Sequence, residues 1–266
     1  MKIRKYIEQY SKDCDFKYPS DATRRTYKNG VRLFLEHFEN EIQPKSISNE
    51  KIKEFLMTAK THNTRKQLQC SINSFYTLTV KMPSKISSIP YPKKQKSLPR
   101  IIDTKHLIES INSIQNIKHK AILMTTYSCA LRVSEVCNLK IDDIDSKRGI
   151  IHIKNAKGQK DRIVKLSDKL LICLRKYYKK HRPKEYLFNG QSKLKYTSNS
   201  CNKVVKKYIG SKYSMHHLRH SGATAMLENG TEINVIQKVL GHNSIKTTMI
   251  YTHVSNNLIQ SVATPM

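Results

Sequence analysis

Residues 215–230 read MHHLRHSGATAMLENG, and the first six of them hold three histidines and one arginine. The apolar positions that follow are typical of the buried face of a helix, so the polar part lies at a helix start. A zinc site, a phosphate site and ordinary contacts at a helix start could each explain so many nitrogens. The rest of the chain has to distinguish among them.

The charge of the chain is strongly positive. Its 266 residues contain 49 lysines and arginines against 20 acidic residues, which gives a net charge of +29. This excess predicts an anionic partner of high charge density, either DNA or RNA. A lysine-rich coding bias could account for part of the charge. The length is sufficient for two modest domains.

The sequence lacks the signals of export and of membrane insertion. Apolar runs are only a few residues long, and the first segment has no apolar core typical of a signal peptide. We therefore expect no membrane partner and a cytoplasmic location. Six scattered cysteines without a CxxC pair are expected to be reduced thiols, and not a zinc cluster.

The N-terminal part predicts a small helical domain over residues 1–82. Apolar residues recur at helical spacing in residues 20–39, 48–59 and 63–80. The opposite faces of these helices are basic, which predicts contacts with DNA. The residues expected to make them are Arg24, Arg25, Lys28, Arg65 and Lys66.

A linker and a second domain follow. Four prolines and many lysines and serines predict a linker over residues 83–100, and residues 101–266 form the second domain. This domain is mostly helical, but residues 149–166 contain two apolar runs around NAKGQK, which predicts a β-hairpin. Lys157 lies near its tip, and Lys154 and Lys160 beside it are candidate DNA contacts. The predicted fold is mainly α with a small β-sheet.

Five short motifs of the second domain carry polar residues suited to chemistry on a phosphate. They are ALRVSE, the hairpin turn, HHLRH, LGHNS and TTMIYTHV. Their candidate site residues, in chain order, are Arg132, Glu135, Lys157, His216, Arg219, His242 and Tyr251. This set and its order resemble the tyrosine recombinases, the Xer and phage-integrase family, over nearly the whole chain.

The resemblance implies a fold and a role for each residue. An N-terminal helical core-binding (SAM-like) domain would precede the catalytic domain. Tyr251 would attack the scissile phosphate, and Arg132 and Arg219 would hold its oxygens. Lys157 would protonate the leaving 5′ oxygen. His216 and His242 would contact the phosphate, and Glu135 would support Arg132.

The resemblance also implies the reaction and the partners. A site-specific recombinase of this kind cleaves and rejoins duplex DNA through a 3′-phosphotyrosine intermediate and a Holliday junction. The assembly would be a homotetramer on DNA, or a heterotetramer with a second recombinase, and an accessory DNA-bending protein is a further candidate partner. Residues 255–266 would pack onto a neighbouring subunit.

The residue types suit this reaction independently of the resemblance. Two guanidinium groups match the oxygens of a phosphate, whose negative charge grows in the transition state. A tyrosine hydroxyl needs a base or a cationic environment to become a nucleophile. We expect no cofactor and no metal, and the chain lacks a GxxxxGK[ST] nucleotide loop.

Several alternatives compete with this interpretation. His216 and His220 are four residues apart and could bind zinc, but no third ligand is evident, so His217 and His220 are expected to make packing or backbone contacts. Asp142, Asp143 and Asp145 could form a two-metal nuclease site, although a solvated turn fits them better. At the level of function, a type IB-like DNA topoisomerase and a catalytically silent DNA-binding protein are the two alternatives.

The motifs depart from the family pattern at three packing positions. The family often has glycine where Ala130 stands, a bulky aromatic residue where Gly222 stands, and histidine where Ala225 stands. These departures leave the candidate catalytic set intact.

Overall fold

The computed structural model describes residues 2–39, 43–93, 98–154, 161–191 and 194–253. The chain divides into two compact units, Met1–Lys96 and Ser97–Met266. In the described part, no helix is both long and apolar enough to cross a bilayer. The mainly helical fold with a small sheet is confirmed.

The described residues of the N-terminal unit contain four α-helices. They are α1 (Lys2–Lys17), α2 (Asp21–His37), α3 (Asn49–Met57) and α4 (His62–Phe75). A π-helical turn, Tyr76–Val80, continues α4. Hydroxyl side chains of Ser20, Ser48 and Thr61 accept hydrogen bonds from backbone N–H groups of the first turns of α2, α3 and α4. These caps satisfy donors that would otherwise be unpaired at a helix start.

Aromatic rings fill the core of this unit. Phe34 of α2 lies within 6.5 Å, between ring centroids, of both Phe55 and Phe75, with the rings edge to face. Helix α1, which the sequence analysis did not predict, buries Tyr10 and Cys14 against the same core. The Tyr10 hydroxyl donates to Ser74 at 3.0 Å.

The predicted linker contributes to this core. Ile86 and Ile89 are buried in it, and the side chain of Gln69 donates to the carbonyl of Ile89 at 2.7 Å. The compact part of the unit therefore extends beyond residue 82, where the sequence analysis ended the domain. Apolar residues at 86 and 89 supply the burial that the prolines alone do not indicate.

The C-terminal unit surrounds a second core with eight helices and three strands in its described residues. The helices are α5 (Thr104–Asn112), α6 (Ile117–Ser128), α7 (Val133–Asn138), α8 (Asp168–His181), α9 (Ser198–Tyr208), α10 (Met215–Glu228), α11 (Ile233–Leu240) and α12 (Ile245–Thr248). A 3₁₀ turn, Met249–Tyr251, continues α12. All six cysteines of the chain are unpaired, and five of them are buried.

The sheet is antiparallel, in the order β1 (Ile144–Asp145), β2 (Ile150–Ile153), β3 (Arg162–Lys165). Ile151 is opposite Val164, and both are buried, whereas neighbouring positions face outward. The two strands of the predicted hairpin are therefore present. Residues 155–160, which include Lys157 and Lys160, lie outside the described residues.

The segment IDDID differs from its prediction as a solvated turn. Residues 141–143 form a 3₁₀ turn, and 144–145 form β1. Asp143 is buried, and its carboxylate accepts a hydrogen bond from the backbone N–H of Lys140 and pairs with Lys154 at 2.8 Å. The prediction was wrong for Asp143, because its carboxylate closes a turn against the sheet. Lys154, a predicted DNA contact, has this carboxylate as its partner.

Helices α6 and α10 approach closely at Gly222. A Cβ atom at that position would lie 2.2 Å from the carbonyl oxygen of Tyr127 on α6. The bulky residue that the family often carries here would not fit in this chain. The close approach fixes the end of α6, where the chain turns into Arg132, against the helix that carries Arg219.

Candidate active site

Arg132 is held by the helix that it begins. It is the N-cap of α7, and its backbone N–H donates to the Glu135 carboxylate at 2.8 Å. The Nη1 atom of Arg132 donates to the other oxygen of Glu135 at 2.8 Å, and Nη2 donates to the carbonyl of Gly241 at 3.2 Å. These hydrogen bonds fix an otherwise long and mobile side chain.

Arg219 is buried on α10, with 2% of its surface exposed. Its Nη1 donates to the carbonyl of Ala130 at 2.6 Å, and its Nη2 donates to the carbonyl of Leu240 at 2.8 Å. Burial and the nearby charge of Arg132 lower the pKa of Arg219 to about 10. The side chain is therefore cationic at neutral pH. Its Nη1 lies 3.8 Å from Oε2 of Glu135.

A third arginine, which the sequence analysis did not single out, completes the cluster. Arg162 on β3 donates from Nη1 and Nη2 to the two oxygens of Glu135, at 2.9 and 2.8 Å, and from Nε to the carbonyl of Val239 at 2.6 Å. Burial alone would raise the pKa of Glu135, but the hydrogen bond and charge of Arg162 lower it below its usual range.

The alternation of side chains along a strand predicts a buried position for Arg162. It lies two residues before the buried Val164 on the same strand and therefore on the same face. A charged side chain on a core-facing position requires a buried partner.

The C-terminal end of α11 accepts from all three arginines. The carbonyls of Val239, Leu240 and Gly241 are consecutive, and they bind Arg162, Arg219 and Arg132 respectively. The carbonyls at a helix C-terminus have no partner within the helix and carry partial negative charge, which suits cationic donors. Because neighbouring carbonyls bind Arg132 and Arg219, the two guanidinium groups converge on one place.

His242 lies beside Arg219, directly after Gly241. Its Nε2 is 3.3 Å from Nη2 of Arg219, and its Nδ1 is 2.9 Å from the hydroxyl of the buried Thr248. Since a guanidinium can only donate, Nε2 is the acceptor and Nδ1 carries the proton. Burial and the charges of Arg219 and Arg132 lower the pKa of His242 to about 4.

Tyr251 is fully buried in a small cluster with Ala130, Ala223, Ile236 and Leu240. Burial raises the pKa of its hydroxyl, while the charges of Arg219 and Arg132 act in the opposite direction. Thus the tyrosine that the TTMIYTHV motif singles out lies within the electrostatic influence of the arginine pair.

His220 contacts this tyrosine, contrary to the prediction of packing or backbone contacts. Its Nδ1 is 2.9 Å from the Tyr251 hydroxyl, and its Nε2 is 2.8 Å from Nε2 of His216. The prediction was wrong because helical spacing relates His220 only to its neighbours on α10. It does not show that Tyr251, 31 positions later in the chain, lies against His220. The prediction for His217 was right, since its Nδ1 accepts from the backbone N–H of Ser214 at the helix start.

Ala130 has an unusual backbone conformation. Its φ is +47°, a region that favours glycine, and its carbonyl accepts from Arg219. The glycine that the family often carries at this position would adopt this conformation without strain. Here alanine adopts it, and its methyl group is buried in the Tyr251 cluster.

The predicted DNA contacts of the N-terminal unit fall into two groups. Arg24 pairs with Asp15 and Asp21, and Lys28 pairs with Asp15 at 2.7 Å. Arg25 and Lys66 are exposed on α2 and α4, while Arg65 is half-buried. In the described part of the chain, no group of three His, Cys, Asp or Glu side chains is arranged to hold a metal ion.

Comparison with known proteins identifies the class. Residues 94–257 match the phage integrase family. Tyrosine recombinase XerA of Thermococcus onnurineus is 32% identical over 265 residues, covering 95% of this chain and 92% of the relative. The chain therefore belongs to the phage integrase family. It is a tyrosine-type site-specific recombinase, an enzyme that breaks and rejoins DNA strands.

Solved structures share this fold. A crystal structure of XerA recombinase covers 97% of this chain and 96% of its own length, at 26% identity and a TM-score of 0.56. A structure of XerH site-specific recombinase bound to a palindromic difH substrate, in a post-cleavage complex, has a TM-score of 0.75. Its identity is 23%, and it covers 89% of this chain and 78% of its own length.

Proposed function

We propose that Tyr251 attacks a scissile phosphodiester in duplex DNA and forms a 3′-phosphotyrosine bond. The convergence of Arg132 and Arg219 on neighbouring carbonyls, with Tyr251 buried in one cluster with Ala130 and Leu240, whose carbonyls hold Arg219, is the observation that carries this proposal. Two fixed guanidinium forks neutralise the phosphate and its developing charge without reorganising during the reaction.

The other residues take complementary roles. Glu135 positions Arg132 by accepting from both its backbone and its side chain. His216 contacts the phosphate oxygens, and His242 lies beside Arg219 at the second phosphate-contacting position that the resemblance implies. Lys157 protonates the 5′ oxygen as the bond to phosphorus breaks, a role that suits a lysine side chain, which can supply a proton. The phosphotyrosine conserves the bond energy, so rejoining requires neither ATP nor a metal.

The larger assembly is a tetramer that brings two DNA sites together and passes through a Holliday junction. It is a homotetramer or includes a second recombinase, and an accessory DNA-bending protein assists where the site requires it. XerH, a neighbour in fold, is a site-specific recombinase with a solved complex on a difH substrate. Xer-like resolution and integration or excision of a mobile element are the two biological outcomes that fit this chemistry.

Covalent capture tests the proposal. The protein is expressed in its own host, detergent traps protein-linked DNA, and the linked DNA is sequenced. Tyr251→Phe is the inactive variant, and Tyr178→Phe is the matched control, because Tyr178 is an exposed tyrosine on α8. We expect discrete loci with the wild type and with Tyr178→Phe, and none with Tyr251→Phe.

Three outcomes would contradict the proposal. Equal enrichment with Tyr251→Phe would remove this tyrosine as the nucleophile. Relaxation of supercoiled plasmids by the wild type, without strand exchange between two copies of the recovered site, would indicate a topoisomerase. A silent DNA-binding protein would show neither linked DNA nor a difference between the variants, including on a nicked substrate that traps the intermediate.

A further inference from the structure

Three polar side chains form one continuous chain of hydrogen bonds that begins at the Tyr251 hydroxyl. His220 Nδ1 lies 2.9 Å from Tyr251 Oη, and His220 Nε2 lies 2.8 Å from His216 Nε2. The two imidazole rings are 4.2 Å apart between centroids and nearly perpendicular. Both nitrogens of His220 are therefore engaged, one on each side.

A neutral imidazole has one donor and one acceptor, so this chain has two polarities. In the first, Tyr251 donates to Nδ1 of His220, and Nε2–H of His220 donates to His216. In the second, every donor is reversed, and Nδ1–H of His220 points at the phenol oxygen. Only the first polarity leaves a lone pair directed at the phenol proton.

We propose that His220 accepts the proton of Tyr251 during strand cleavage and passes a proton on to His216. This inference rests on the proposed function, because it assigns the base for that same reaction. The bond from Tyr251 Oη to phosphorus forms, and the bond from phosphorus to the 5′ oxygen breaks. The phenol proton moves to Nδ1 of His220, the Nε2 proton of His220 moves to His216, and Lys157 protonates the 5′ oxygen.

The surroundings of His220 keep it in the neutral form that can accept a proton, while the same low pKa makes it a weak base. Burial, then the neighbouring His216 and Arg219, lower the pKa of His220 to about 4, so its ring is neutral at pH 7 and has a lone pair to offer. His216 is the more exposed of the two rings and is the proposed phosphate contact. Burial and the charge of Arg219 lower the pKa of His216 as well. The negative charge of the phosphate beside His216 is what would stabilise an imidazolium there and direct the transfer.

The other histidine of the site is already committed. Both ring nitrogens of His242 are engaged, Nε2 with Arg219 and Nδ1 with Thr248. Among the described hydrogen bonds, the partner of the Tyr251 hydroxyl is His220. His220 is thus placed to act on the proton directly, and His216 acts through it.

Nuclear magnetic resonance tests the polarity without any DNA target. Ring nitrogen-15 shifts distinguish the two neutral tautomers of each histidine. We expect His220 to carry its proton on Nε2 in the free protein at pH 7, and Tyr251→Phe to shift the Nδ1 resonance. A proton on Nδ1 would overturn the proposal, because no lone pair would then face the phenol.

Two substitutions then separate proton transfer from mere positioning. The oxygen of His220→Asn stands near the place of Nδ1 and can still accept from Tyr251, but it cannot take up a proton. In His220→Gln, the amide oxygen would instead lie near the position of Nε2, on the side of His216 and not of Tyr251. The control is His152→Asn on β2, away from this chain of hydrogen bonds. The substrate is a duplex with the sequence recovered by covalent capture.

We expect both His220 variants to cleave about 100-fold more slowly, within the range of general-base catalysis, and the control to match the wild type. A substrate with sulfur in place of the bridging 5′ oxygen needs no acid. It should restore the cleavage rate of Lys157→Ala, but not the cleavage rate of either His220 variant. Wild-type rates in His220→Asn, or restoration of it by sulfur, would overturn the inference while the recombinase proposal stands. Failure of the wild type to cleave either substrate would instead contradict the proposed function.

Discussion

Arg162 donates from both terminal nitrogens of its guanidinium to the carboxylate of Glu135, at 2.9 and 2.8 Å. Both side chains are buried, with 8% of Arg162 and 4% of Glu135 exposed. Glu135 in turn accepts a hydrogen bond from Arg132. The position of Arg132, a proposed catalytic residue, therefore depends on Arg162, whose guanidinium is directed at Glu135. The cluster is a positioning network in which a single anion orients several cations.

Replacing Arg162 with lysine should destabilise the protein and slow cleavage. Lysine keeps the charge but cannot donate to both oxygens of Glu135 and to the Val239 carbonyl at once. We expect the free energy of unfolding to fall by about 1–3 kcal/mol, measured by urea denaturation. Arg148→Lys, at an exposed turn between β1 and β2, should have no effect. Equal stability of the two variants would show that the paired geometry is unimportant.

Gly222→Ala should be among the most damaging small substitutions in the chain. Its methyl group would meet the backbone oxygen of Tyr127 at 2.2 Å, and only separation of α6 from α10 relieves this. We expect a loss of about 3 kcal/mol, measured by thermal denaturation. Gly30→Ala is the comparison, because the new methyl would meet the side chain of Ser71, and alanine favours the helix by about 1 kcal/mol. A larger loss for Gly30→Ala would refute this ranking.

Two glycine substitutions should distinguish backbone strain from packing. Arg182 has φ +40° at the exposed end of α8, so Arg182→Gly should stabilise the protein by about 0.5–1 kcal/mol. Ala130→Gly relieves a similar strain but removes a buried methyl worth about 0.8 kcal/mol, so its net effect should be near zero. Denaturant midpoints would decide, and destabilisation by both variants would argue against strain at either site.

Acidification should destabilise the site through His242. Its pKa is about 4 in the folded chain, against an ordinary value of about 6.5. The unfolded chain therefore binds the proton first as pH falls, and stability is lost between about pH 6.5 and pH 4. The free energy of unfolding, measured by urea titration at pH 7 and again near pH 4, should fall less for His242→Gln than for the wild type. His62→Gln, at the exposed start of α4, should behave as the wild type. Identical pH profiles for all three proteins would contradict the assignment.

Binding to duplex DNA should depend on salt through basic residues such as Arg25 and Lys66, which form no salt bridge with the acidic residues that the structure describes. Removing one phosphate-neutralising side chain lowers the slope of log K against log salt by about 0.9. Arg25→Ala and Lys66→Ala should each reduce the slope by about this amount. Lys28→Ala should reduce it less, because Asp15 already neutralises Lys28. Fluorescence anisotropy over a salt series measures this, and equal slopes for the three variants would remove the distinction.

Local patterns accounted for the helices and for one side of the site. Helix α2 follows from the apolar spacing in residues 20–39, and the hydroxyl of Ser20 caps it. Arg132 at a helix start with Glu135 one turn later is also a local feature, and the structure has it. Helix α1 was missed because its charged residues obscure the few apolar positions that face the core.

Contacts between distant segments could not be predicted in the same way. Arg162 meets Glu135 across 27 positions, and His220 meets Tyr251 across 31. Such pairs depend on how the strand and helices pack, which spacing within one element does not determine. The i,i+4 relation of His216 and His220 was visible in the sequence, but only local packing or backbone contacts were expected of His220, whereas it contacts the Tyr251 phenol.

The three carbonyls at the end of α11, together with Glu135, Ala130 and His242, determine how many N–H donors the arginines have left. A guanidinium has five N–H groups. Arg162 directs all three of its nitrogens at protein acceptors, so its planar fork is occupied by Glu135. Among the described hydrogen bonds, Arg132 uses two N–H groups, and Arg219 uses two for carbonyls and one toward His242. About five N–H groups of these two arginines therefore remain to be shared between solvent and an incoming phosphate. The number of hydrogen bonds that the arginines can offer a phosphate is thus set before any DNA binds.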